Sequence, residues 1–415
     1  MRTNISRWIR ETLPAMAPVV VMFCLLVFPA ESVFAQNDEC AKLQNKIESG
    51  DELSPRAKKV LFSCRTRQDD GRHAEAAKVM NEWITGHPGQ LHHLLYFNLA
   101  VSQLDLGQPT EALDNLERSV AQEPRFSRGW LRLGETAYEQ QNYARAAEAF
   151  LLGHDLMCEK RPEIRYYSAV AWLLAQQPEK ALVGLESLLQ DHGAIATLDW
   201  YQALVAAASE TGKFADARPW VDHCLTENES DPKAWYLAYQ FAATAEDYRQ
   251  AAVWLTVVGH LRPLARDEFL QLGDLYAGSG VPLQAARYYQ QALQYPENEP
   301  DADDYLRLAS AWMAAHQMDE ARSVLDKALA AGPTVKLLAL LGDLNYSEEK
   351  FADAREAFAQ CVTMDPEYGR GWLMSGYCSL ELGENRKARH SLERAKVFSG
   401  QGKAATELLR RIPEQ

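Results

Sequence analysis

Ten histidines and seven cysteines are the side chains of this 415-residue chain best suited to metal binding or nucleophilic chemistry, and their spacing supports neither. His92-His93 and His223-Cys224 are adjacent pairs, and neighbours along a helix point in different directions. No Cys-x-x-Cys occurs, which leaves redox catalysis and zinc binding with little support. "TGK" at 211–213 lacks the upstream glycine of a phosphate-binding loop. There is no nucleophile elbow, no HExxH and no dinucleotide fingerprint. "PENEPDADD" (296–304) gathers five carboxylates but has no glycine for the tight turn of a calcium loop. It reads as a solvated loop that supplies a helix N-cap. Asn228 and Asn345 fit the glycosylation pattern only by chance. The chain is therefore read as a non-enzyme with no cofactor and no metal.

The cysteines have a second use. Cys40 and Cys64 flank the turn "SGDELSPR", which folds two helices back together, so a Cys40–Cys64 disulfide is expected. Cys361 and Cys378 on adjoining helices are a second candidate pair. The alternative for each is a small buried thiol. Export would permit such bonds, and the N-terminus points to export. Arg2, Arg7 and Arg10 precede the apolar run "AMAPVVVMFCLLVF" (15–28), and Val33 and Ala35 form a small-residue cleavage site. Residues 1–35 read as a secretory signal peptide; the run is short for a membrane span of roughly 20 residues. An uncleaved anchor is the alternative. Cys24 lacks the small neighbours of a lipidation site.

With 47% hydrophobic and 24% charged residues the chain is expected to fold over most of its length. Its net charge of −14, which becomes −15 without residues 1–35, argues against nucleic acid as a partner.

The elements that position these residues recur. "GWLRLGETAYEQQNYARAAEAF" (129–150) carries Trp130, Gly134, Ala146 and Phe150, and "GWLMSGYCSLELGENRKARHSL" (371–392) repeats it with Trp372, Gly376, Ala388 and Leu392. Tyr96 to Trp130, Tyr201 to Trp235, Trp235 to Phe269 and Gly342 to Gly376 are each 34 residues apart. About ten units start near residues 57, 93, 127, 163, 198, 232, 266, 302, 335 and 369. Each unit holds two apolar stripes at helical spacing, separated by turn formers such as "LGQPT" and "LGENR". Pro124, Pro263 and Pro366 close second helices, because proline cannot continue one. A lone helix pair cannot bury both faces, so the units must stack.

The sequence resembles the tetratricopeptide repeat family, with its 34-residue unit and W…LG…Y…A…F…P pattern, over nearly all of residues 57–400. The resemblance implies an all-α fold, a right-handed α-solenoid of about ten helix-turn-helix units lined inside by the first helix of each pair. The expected organisation is a signal peptide (1–35), an N-terminal capping helix (36–56), the array (57–400) and a C-terminal capping helix (401–415).

Function in such arrays lies mostly in the concave groove. Some relatives grip a partner's C-terminal carboxylate with an Asn from one unit and two basic residues from the next. Asn98, Arg128 and Arg132 stand at those places, but Leu61 and Arg65 replace the upstream Lys and Asn, so two of the five positions fail. Ordinary solvated charges are the alternative. Phe97, Tyr138, Trp172 and Tyr236 are expected on or near the same face, as binding anchors or as core. Arg65, Arg128 and Arg132 beside aromatics reverse the sign of an acidic chain locally. The expected role is a scaffold or adaptor of the bacterial cell envelope, in the periplasm of a Gram-negative organism. It would bind a protein or peptide and be peripheral to the membrane at most. A regulatory repeat subunit of an envelope enzyme complex is the alternative.

Overall fold

In the computed structural model, which describes residues 34–89, 91–295 and 300–412, every regular element is helical. There are 22 α-helices and one 3-10 turn, with no strand among the described residues. The expected signal peptide falls almost wholly outside them. The chain divides after Asn228 into two compact units.

The first unit opens with α1 (Phe34–Ser49) and continues in five pairs. These are α2 (Pro55–Asp69) with α3 (His73–Gly86), α4 (His93–Asp105) with α5 (Pro109–Gln122), and α6 (Ser127–Glu139) with α7 (Tyr143–Asp155). Then come α8 (Pro162–Leu174) with α9 (Pro178–His192), and α10 (Leu198–Thr211) with α11 (Phe214–Glu227).

The second unit has five pairs and a closing helix. They are α12 (Pro232–Thr244) with α13 (Tyr248–Leu261), α14 (Arg266–Gly278) with α15 (Pro282–Leu293), and α16 (Ala302–Ala314) with α17 (Met318–Ala331). α18 (Val335–Ser347) with α19 (Phe351–Met364), α20 (Gly369–Glu381) with α21 (Asn385–Ala395), and the short α22 (Gly402–Leu409) complete it.

One design recurs in all ten pairs. The turn between the two helices contains one residue with positive φ: Gly71, Gly107, Gln141, Gln176, Gly212, Glu246, Gly280, His316, Glu349 and Gly383. Such a residue ends the first helix and lets the chain reverse. Five are not glycine, and each of those carries the steric cost of a Cβ in the left-handed region. Five residues further on sits the recurring alanine, Ala76, Ala112, Ala146, Ala181, Ala217, Ala251, Ala285, Ala321, Ala354 and Ala388, every one at 0% exposure. The first helix offers a small residue where the second must come close. A Cβ built on Gly134 would lie 2.7 Å from the Phe150 ring, and one on Gly342 would lie 2.7 Å from that of Phe358. Glycine thus admits an aromatic ring against bare backbone, and the ring fills the space between the helices.

The tryptophans do something else. Trp130, Trp235 and Trp372 donate their indole N–H to the carbonyls of Pro124 (2.8 Å), Glu229 (2.8 Å) and Pro366 (2.9 Å). Each is only half-buried and pins the linker that enters its own pair.

The ends differ from the interior. On α6 the face that packs on the preceding pair presents Gly129, Leu133, Thr136 and Ala137, all buried. At the same register α2 presents Lys59, Ser63, Thr66 and Arg67, none of them buried. That polar face closes the array.

The α1 helix is the main departure from expectation. It does not fold back on α2 alone. His93 Nε2 meets the Ile47 carbonyl at 3.0 Å, Gln44 Nε2 donates to the carbonyls of Arg125 (2.9 Å) and Leu156 (3.4 Å), and Cys40 is bonded to Cys158. Those partners lie at the start of α4, before α6 and after α7. The helix therefore straps the linkers between successive pairs. This corrects the expected Cys40–Cys64 bridge: Cys64 is a free thiol at 0% exposure, facing the Ala76 carbonyl between α2 and α3. Cys361 and Cys378 are likewise free and buried.

Candidate functional site: a basic, aromatic face on the first unit

The first helices α2, α4, α6 and α8 bring together most of the residues singled out from the sequence. Arg65 Nε donates to Asn98 Oδ1 at 3.4 Å. The Asn98 amide nitrogen donates to the Leu94 carbonyl at 2.7 Å, and Gln68 Nε2 reaches both the Asn98 carbonyl (2.7 Å) and Ser102 Oγ (2.8 Å). Asn98 is buried and its amide is engaged on both sides. It is placed to position Arg65, its side-chain oxygen accepting from the guanidinium.

Arg65 and Arg128 are exposed. Burial of its stem lowers the Arg65 pKa, and the neighbouring Arg128 charge lowers it further. Two guanidiniums of one sign thus share a small area. Their nearby counter-charges are Glu48 of α1, 3.9 Å from Arg128 Nη1, and Asp69, which acts on Arg65. The Arg128 guanidinium also lies 5.3 Å from the centre of the Phe97 ring, within range of a cation–π attraction. Arg132 is held by Glu135 at 2.8 Å, three residues along α6.

Phe97 is a core residue, edge-on to Phe126 at 5.1 Å, and Trp172 is buried under Lys180, whose ammonium sits 4.0 Å from its ring. Neither is an exposed anchor. Tyr138 is half-buried and meets Tyr143 edge-on at 5.4 Å. The half-buried Tyr166 stacks near Trp200 at 6.4 Å; burial, more than the nearby Asp199, Tyr167 and Tyr138, raises its phenol pKa. A tyrosine row therefore continues from the basic residues. Tyr236 belongs to the second unit, where Arg262 lies 5.7 Å from its ring.

One residue was missed. Phe62, on α2 one turn before Arg65, is 75% exposed. Sequence reasoning weighed Leu61, which is buried. The signal was the hydrophobic pattern itself: Phe62 stands at the register of Asn98 and Arg132, on the face that α2 shares with them.

The face has donors and rings but no catalytic set. Among the described residues no three His, Cys, Asp or Glu side chains converge on a point that would hold a metal ion. Burial pushes the thiols of Cys64, Cys361 and Cys378 up to about 11, far from a thiolate at neutral pH.

The tetratricopeptide repeat family pattern matches residues 97–156, 270–335 and 340–404. The chain is similar to the TPR repeat-containing protein YpiA of Bacillus subtilis (strain 168), 23% identical over 297 residues, 70% of this chain and 68% of that protein. Among solved structures it is similar to YrrB, described as a TPR protein with an unusual peptide-binding site, at 16% identity and TM-score 0.37 over 46% of this chain and 97% of that one. It is also similar to a tetratricopeptide repeat protein from Parabacteroides merdae, at 17% identity and TM-score 0.35 over 60% of this chain and 98% of that one. Ten helix pairs of one design run through the described residues, and three separate segments of the chain match the tetratricopeptide repeat family pattern.

Proposed function

We propose that the chain is a non-enzymatic scaffold that holds an acidic protein segment on the basic, aromatic face of its first unit. One observation carries the reading: Phe62, 75% exposed, stands one turn before Arg65 on α2, and the Arg65 and Arg128 charges act on each other, in a chain of net charge −14. A large exposed ring with an arginine one turn away is the composition of an interface hot spot. A carboxylate of the partner would meet the two guanidiniums as a charge-assisted acceptor, and an apolar side chain would cover Phe62. The work is done in the periplasm of a Gram-negative bacterium, within an envelope assembly, secretion or transport complex. The N-terminal pattern of arginines followed by a short apolar run supports export. The Cys40–Cys158 bond supports an oxidising compartment.

The test is affinity capture from envelope extract with the parent chain, Phe62→Ala and Arg65→Glu/Arg128→Glu, followed by titration of the captured partner. Each variant should bind about 30-fold more weakly. Equal binding by all three would remove this face from the function.

A further inference from the structure

The sign of the chain's charge reverses at its C-terminal end. Residues 229–384 of the second unit carry a net charge of −12. Residues 385–411, which hold α21, the following turn and α22, carry eight Lys or Arg against two Glu. All eight, Arg386, Lys387, Arg389, Arg394, Lys396, Lys403, Arg410 and Arg411, are exposed. Lys387 and Lys396 have acidic neighbours, Glu384 at 3.1 Å and Glu393 at 3.9 Å, and Arg394 lies 5.6 Å from the Trp372 ring centre. Arg386, Lys403, Arg410 and Arg411 form no ion pair among the described residues. Between the two helices, next to Lys396, Val397 is 71% exposed.

The fold explains why the apolar side of these helices is spent. Ala388, Leu392 and Ala395 of α21 and Ala405 of α22 are all at 0% exposure, and Leu408 and Leu409 pack on the same cluster. What remains outward is charge, with one aliphatic tip.

We propose that this end of the second unit docks on an anionic lipid surface. The positive charge is spread over two helices and the turn between them rather than focused in a pocket, so it suits a fluid sheet of negative headgroups better than one shaped ligand. Each Lys or Arg near such a surface adds a modest attraction, and several act together. Val397 is placed to enter the headgroup layer. The −12 of the remaining unit makes the attachment directional, because the same membrane repels every other approach. The inference is independent of the groove reading.

The experiment is vesicle co-sedimentation of the full chain. It compares phosphatidylcholine vesicles with vesicles that also contain phosphatidylglycerol. The variants are Arg386→Glu/Lys403→Glu/Arg410→Glu/Arg411→Glu and Val397→Ser, and all share the N-terminal apolar run, so differences between them report the C-terminal end. The parent should bind anionic vesicles at least about tenfold more tightly than neutral ones, and the fourfold variant should lose that preference. Salt should weaken the parent's binding, and Val397→Ser should weaken it slightly. The proposal is overturned if both vesicle types bind alike or if the fourfold variant, with an unchanged thermal melt, binds anionic vesicles as the parent does. It is equally overturned if soluble polyglutamate or heparin binds this end while vesicles do not, since the partner would then be a polyanion.

Discussion

The two units build the same helix pair, and the first adds a fastening that the described residues of the second do not show. In the first, a helix from outside the array crosses three linkers, donates through Gln44, receives His93 and is welded by Cys40–Cys158. In the second, ion pairs of the kind that Arg145 and Glu117 make between α7 and α5 of the first bridge one pair to the next. Arg266 meets Asp304, Arg322 meets Glu348, and Arg355 meets Glu384. Lys336 meets Asp303 at 3.0 Å, and Arg370 meets Asp343 at 2.7 Å. Stacking geometry therefore does not dictate the fastening. A solenoid needs some term between neighbours, and a covalent strap and a run of charges both supply it.

The largest break in this comparison is Cys158→Ser. The bond closes a loop of 118 residues, and the loss of that constraint on the unfolded chain is worth about 5 kcal/mol. Hydrogen exchange should show α1 to α7 opening far more easily while α14 to α20 keep their protection. A uniform loss over both units would mean that the strap is not local.

Acid should separate the units next. Burial, with the charge of His92 as a smaller cause, depresses the His93 pKa from 6.5 to about 4. Between those values the unfolded chain binds a proton that the folded one refuses. The first unit therefore loses stability as pH falls from about 6.5 to 4, by about 3 kcal/mol, and no further from this group below that. In the second unit Arg262 holds the Glu268 pKa down, Lys350 and Arg322 do so for Glu348, and Arg355 and Lys387 for Glu384. Their contribution is present above the ordinary carboxylate value of 4.5 and is lost only as pH falls below it through their folded values. Melts across this range should show the first unit weakening first, and His93→Gln should flatten its profile.

Gly134→Val and Gly342→Val test what the units share. Each forces a side chain into a ring that lies 2.7 Å from where its Cβ must be. Each should cost about 2 kcal/mol in its own unit, read by denaturant midpoint. A clear difference between the two would show that the fastening alters how a pair yields.

The smallest effect has the opposite sign. Gln141→Gly and Glu246→Gly relieve a left-handed residue, at φ 60° and 61° respectively. Each should stabilise by about 0.5 kcal/mol after the added freedom of the unfolded chain is counted.

The repeat was legible because it rests on local chemistry. Ten alanines, the small residue opposite Phe150 or Phe358, and the turn formers each act within one pair, and a 34-residue spacing displays them directly. The disulfide was not legible, because Cys40 and Cys64 are near in sequence while Cys158 is brought to Cys40 only when α1 crosses the linkers of three pairs. The site was legible in part. Arg65, Arg128 and Arg132 stand out as charges on first helices, but spacing alone does not tell a ring facing the groove from one facing the next pair. Phe97 and Trp172 turned inward, and Phe62 turned out.

The bond between Cys40 and Cys158 also has a mechanical consequence. A pulling force enters a chain through its ends and travels along the covalent backbone. When it reaches this bond it bypasses the residues between the two cysteines, which lie 118 positions apart in sequence. Those residues would reach about 400 Å if fully extended, and that length is withheld. Stretched by its ends, the molecule should pay out the pairs beyond Cys158 one after another while α2 to α7 stay slack, and a reducing agent should release the missing length in a single step.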